Sequence, residues 1–87
     1  MLAITQDAGN YLKRLLVEAE APEDKCVRIA SKGDHLAMQF AKQEPGDTPY
    51  SHEGRVVLVV DEKLARDLDG RRITVEENEG AAQLVLR

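Results

Sequence analysis

From Ala8 to Ala19 the apolar positions of the 87-residue chain recur in steps of three and four. Ala8, Tyr11, Leu12, Leu15, Leu16 and Ala19 form one stripe, while Lys13, Arg14, Glu18 and Glu20 lie mostly off it. That spacing predicts an amphipathic helix. Thr5 or Asp7 is placed to cap its start, and Pro22, which disfavours helical backbone in the residue before it, marks its end. Met1 to Ile4 ahead of the helix is short and apolar and suits an edge strand.

After Pro22 the apolar period falls to two. In "CVRIAS", Cys26 to Ser31, Val27 and Ile29 face one way and Cys26, Arg28 and Ala30 the other, which predicts a strand. Beyond a Lys32-Gly33-Asp34 turn, Leu36, Met38 and Phe40 alternate with Ala37, Gln39 and Ala41, predicting a second strand antiparallel to the first. "KQEPGDTP" reads as an exposed loop. Tyr50 to His52 forms a short strand that turns at Glu53-Gly54 into "RVVLVV", Arg55 to Val60, whose unbroken apolar run predicts a central strand buried on both faces. Asp61 caps a short helix with Leu64, Ala65 and Leu68 inward and Gly70 at its stop. "RITVEE" and "AAQLVLR", either side of Asn78-Glu79-Gly80, close the chain in a hairpin. The order predicts one α+β domain, residues 1–87, mostly β. In it, small curved, mainly antiparallel sheets pack with an N-terminal amphipathic helix and a second short helix.

Composition narrows the function more than the fold. With one Phe, two Tyr and no Trp, the chain has little with which to stack nucleobases. A net charge of -4 and scattered basic residues, apart from Arg71-Arg72, leave no stripe to follow phosphates, so no nucleic acid partner is expected. The opening "MLAITQDAGN" lacks a basic segment followed by a long apolar run, and no stretch approaches bilayer length, so no membrane partner is expected and a cytoplasmic location is. One cysteine, Cys26, excludes an internal disulfide and suits a reducing compartment.

Candidate chemistry is sparse. The only imidazoles are His35 and His52, and a metal site usually needs three or four matched ligands. Asp34 and Glu53 sit beside them, but neighbours on a strand point to opposite faces, so both histidines are expected as solvated turn or strand-end residues. Cys26 is a reactive thiol if Lys25 or Arg28 lowers its pKa, and otherwise a small, partly buried strand residue. The acidic pairs Glu76-Glu77 and Asp67-Asp69 lack an apolar pocket that would separate two carboxylate pKa values. No phosphate-binding loop, nucleophile elbow or zinc-spaced cluster occurs. No enzyme, no catalytic residue, no cofactor and no metal ligand is predicted.

Three stretches, "MLAITQDAGNYLKRLL", "VRIASKG" and "GRVVLVVDEKLARDLDGRRITVEE", together resemble in order and spacing the HesB/IscA-like family of A-type iron-sulfur cluster biosynthesis proteins. The first is similar to that family's Ile-Thr entry into a helix bearing Leu-Lys-x-Leu-Leu. The second is similar to its Leu-Arg-Ile strand before a glycine turn, and the third to its Gly-Val-x-Val-x-Val-Asp segment, short helix and closing strand. The resemblance implies the family's fold of small curved sheets, and a usual function of holding iron or an iron-sulfur cluster through three cysteines. Setting Gly33 on the first glycine of the family's Gly-Gly-Cys-Ser-Gly turn puts His35 at the thiol, Leu36 at the serine and Ala37 at the second glycine. The remaining Cys-x-Cys has no counterpart up to "QLVLR", and Cys26 matches no family ligand.

A cluster normally takes four thiolates, so the expectation is a degenerate, non-catalytic member that acts as a binding or protein-interaction module, with cluster biogenesis as its expected setting. The alternative is a residual iron or divalent-metal protein using His35, alone or with Cys26, across a dimer. A small core and exposed strand edges predict a homodimer in either case.

Overall fold

A computed structural model describes residues 2–32 and 35–87, with the side chains of residues 32 and 35 left aside. The elements run β1 (Ala3–Ile4), α1 (Gln6–Glu18), β2 (Lys25–Lys32), β3 (His35–Lys42), β4 (Thr48–His52), β5 (Arg55–Val60), α2 (Glu62–Asp67), β6 (Arg72–Asn78) and β7 (Ala81–Leu86). Strands dominate, as the two-residue periods predict.

Thr5 caps α1: its hydroxyl accepts from the Ala8 N–H at 3.2 Å and also bonds the Thr74 hydroxyl at 3.2 Å, fixing the helix to β6. On the predicted stripe Ala8, Leu12 and Leu16 are sealed in the core and Tyr11 and Leu15 are half-buried. Ala19, expected on the buried face, is instead the exposed C-cap, because the helix ends one turn before Pro22. It ends in a Schellman motif. The Ala21 N–H reaches the Leu16 carbonyl and the Glu20 N–H the Val17 carbonyl, both at 3.0 Å, with Glu20 in the left-handed region at φ 54°.

The strands form two sheets, ordered β1-β6-β7 and β3-β2-β5-β4. Pairing is antiparallel except for β1 with β6 and β2 with β5. β5 is central as predicted, with Val57 to Val60 each at most 1% exposed. Thr48 and Pro49, expected in the loop, belong to β4. That strand is a sheet edge, where a proline's missing N–H breaks no ladder. Two-residue turns, Glu53-Gly54 and Glu79-Gly80, join β4 to β5 and β6 to β7 with all four φ angles positive.

α1 lies against both sheets, contacting β2, β4 and β5 of the larger and β6 of the smaller. The core joins Leu12 and Leu16 of α1, Val27 and Ile29 of β2, Leu58 of β5 and Ile73 of β6. Asp61 caps α2 by accepting from the Leu64 N–H at 2.8 Å, Leu64 and Leu68 are buried, and Gly70 at φ 81° ends it, as expected. Ala65 is half-buried against the same core. No helix among the described residues is long and apolar enough to cross a membrane.

Candidate functional site

The β2-β3 hairpin carries both residues that the sequence singled out for metal chemistry. Its ladder is continuous, from Lys25 opposite Lys42 to Lys32 opposite His35. Gly33, Asp34 and the His35 side chain lie outside the described residues, so the expectation of a solvated His35 falls there. The backbone nevertheless separates the candidates. Cys26 opposes Ala41 at one end of the hairpin and His35 opens β3 at the other, about 20 Å away along the strands. One ion cannot be shared by the two within a chain.

Cys26 is 3% exposed, more deeply buried than expected, and its thiol donates to the Ala41 carbonyl at 3.3 Å. Burial raises its pKa, and the Asp47 carboxylate adds to that, against the lowering effects of Arg28 and Arg55. Arg28 therefore does not activate the thiol. Its guanidinium is committed elsewhere, with Nη1 donating to Asp47 Oδ1 at 3.1 Å, Nη2 paired with Oδ2 of the same carboxylate, and Nη2 also reaching the Lys42 carbonyl at 3.3 Å. Asp47 Oδ2 accepts from the Glu44 N–H at 2.8 Å as well, so the fork clamps the 43–47 loop onto β2. Arg28 holds the Asp47 carboxyl below the usual carboxylate range, outweighing burial.

His52 closes β4, as expected of a strand-end residue, but it is not solvated. Only 16% of its side chain is exposed, its ring lies over Gly9 of α1, and Nε2 is 2.6 Å from Asn10 Oδ1. Nor does Glu53 point away from it. Glu53 has left the strand at φ 52°, so its Oε1 returns to within 3.4 Å of His52 Nε2 while Oε2 accepts from Lys13 Nζ at 3.0 Å. This polar cluster fastens the β4-β5 turn to α1. Among the described residues no three His, Cys, Asp or Glu side chains converge as a metal site would require. Of the acidic pairs, Glu76 is half-buried and pairs with Arg87, while Glu77, Asp67 and Asp69 are exposed.

Nothing in the sequence pattern marks the inner face of β3 as functional. Phe40 opposes Val27 and Met38 opposes Ile29, so all four share a face, yet Val27 and Ile29 are buried while Met38 and Phe40 are 43% and 48% exposed. β3 is the sheet edge, and its apolar face overhangs the core. The face continues into a groove of about 750 Å³ between β3 and β7, with Leu36, Met38, Leu84 and Leu86 along it and Arg71 and Arg87 among its polar residues.

Neither models of known protein families nor curated protein sequences match the chain. Solved structures do. Escherichia coli SufA, involved in biosynthesis of iron-sulfur clusters, superimposes with a TM-score of 0.78 at 18% identity, over 99% of this chain and 83% of that one. The chain has the HesB/IscA-like fold. IscA with the 2Fe-2S cluster gives a TM-score of 0.68 at 17% identity, over 100% of this chain and 84% of that one. On this HesB/IscA-like fold, the position that the sequence resemblance assigns to a first cluster thiolate is His35, at the start of β3.

Proposed function

We propose that the chain is a non-catalytic protein-interaction module, a single domain spanning residues 1–87, on a HesB/IscA-like scaffold. It works beside iron-sulfur cluster assembly without holding a cluster of its own. The burial of Cys26 carries this reading. The one thiol in the sequence is closed inside a sheet, hydrogen-bonded, and held protonated by its surroundings. Iron in a cluster is bound by thiolates, normally four, and this single thiol is almost wholly buried. The association with cluster assembly is supported by the likeness to SufA, which is involved in biosynthesis of iron-sulfur clusters. A reduced, unpaired cysteine suits the cytoplasm.

Anaerobic incubation with ferrous iron and sulfide, then desalting, tests the reading. The expected product is colourless protein without the visible absorption of a cluster. One cluster per chain or per dimer surviving desalting would overturn it.

A further inference from the structure

The two edges of the larger sheet are treated differently by the sequence. β4 carries Pro49 and a bulge between Tyr50 and Ser51, both of which discourage a further strand from pairing. β3 runs eight residues with no proline, pairs with β2 without a bulge, and has no charge from Leu36 to Ala41. It is an unguarded edge, and the overhanging Met38 and Phe40 lie along it.

We propose that β3 pairs antiparallel with β3 of a second copy, about a two-fold axis at Met38. The inference rests on the interaction-module reading and identifies its surface. The strand is its own complement in that register. Met38 meets the partner's Met38, Leu36 meets the partner's Phe40 and Phe40 the partner's Leu36, while Ala37 and Gln39 exchange on the other face. Every apolar residue on the overhanging face gains an apolar neighbour, no like charges are opposed between Leu36 and Ala41, and the contact is closed and self-complementary. The partner's Phe40, beside Leu36, lies along the groove between β3 and β7.

The areas agree. A 9.7 kDa monomer is expected to expose about 5,100 Å². This chain exposes 5679 Å², roughly 550 Å² more than that scaling. An eight-residue edge is about 27 Å long and a sheet about 10 Å deep, and covering Met38 and Phe40 adds on the order of 100 Å² each, so pairing removes about 500 Å² per copy. A standard interface removes about 800 Å² per partner, which makes this a weak dimer whose population depends on concentration.

Sedimentation equilibrium across the micromolar range tests the proposal. The average mass is expected to rise from 9.7 kDa toward twice that value. Met38→Lys and Phe40→Glu, at exposed positions, are expected to weaken association at least about tenfold with the melting temperature retained. Val17→Lys, on α1 and 59% exposed, is expected to leave it unchanged. On dilution of the unaltered chain, the amide resonances of residues 36–40 are expected to shift and those of α1 to stay still, a readout that needs no variant to fold. A monomer at every concentration overturns the proposal. So does a dimer indifferent to both β3 variants, although self-association through another face would then stand. Cluster reconstitution is independent of all these outcomes, so a failed β3 interface and a failed cluster-free reading are told apart.

Discussion

Gly9 and His52 fit together because Gly9 has no side chain. A Cβ built on Gly9 would stand 2.5 Å from His52 Nδ1, inside any real contact, while the ring is tied to Asn10 on its other side. Glycine in a helix interior costs about 1 kcal/mol relative to alanine, so α1 gives up intrinsic stability to admit the imidazole. Gly9→Ala is therefore expected to destabilise by about 1–2 kcal/mol, through overpacking that exceeds the propensity gain. With His52→Ala already present, the same change is expected to become stabilising. Urea denaturation of the two single variants and the double variant measures the reversal, and two additive single effects would contradict it.

The Arg28-Asp47 fork predicts a response to acid. Asp47 has a folded-state pKa below its ordinary value. Its contribution is thus complete above the unfolded value, near 4, and is lost as pH falls through the lower folded value. Asp47→Ala is expected to cost about 2 kcal/mol at neutral pH and progressively less below about pH 4. Glu53, lowered by Lys13, and Asp69 titrate in the same window, so the measured quantity is the difference between unaltered chain and variant along a pH series.

Cys26 is expected to resist alkylation in the native state, because its thiol is buried, bonded to the Ala41 carbonyl and raised in pKa. Labelling with iodoacetamide at mildly alkaline pH should be slow and should accelerate sharply in denaturant. Equal rates in both conditions would mean that β2 and β3 separate readily at that end.

Glu20 occupies a backbone position that favours glycine. Its φ of 54° is required by the Schellman motif ending α1, and the next two carbonyls, of Ala21 and Pro22, accept from Arg55 Nη2 at 3.2 and 3.0 Å. Glu20→Gly relieves a left-handed cost of about 1 kcal/mol. For a domain this size the midpoint is expected to rise by about 4–8 °C. Thermal unfolding followed by circular dichroism reads the change, and a fall would show that the Glu20 side chain contributes more than its backbone strain takes away.

Periodicity along the chain was enough to locate α1, the β2-β3 and β6-β7 hairpins, the buried β5 and the capped α2, since each depends on residues within a few positions of one another. Asp61 was legible as a cap, and Thr5 as one of two candidates beside Asp7, because a cap bonds the third residue on. The order of these segments, taken with the residues of three motif stretches, was also enough for the resemblance to the HesB/IscA-like fold to be seen. What only the tertiary structure decided involves residues that the sequence keeps apart. Alternation placed Val27 and Phe40 on equivalent faces, but only the sheet order, with β2 inside and β3 at the edge, leaves one buried and the other half exposed. Cys26 is closed off by its neighbours in the folded sheet, and His52 lost its expected solvent to a glycine on α1. A strand's pattern records which side faces inward. Whether anything lies there to cover it depends on where the chain's distant parts come to rest.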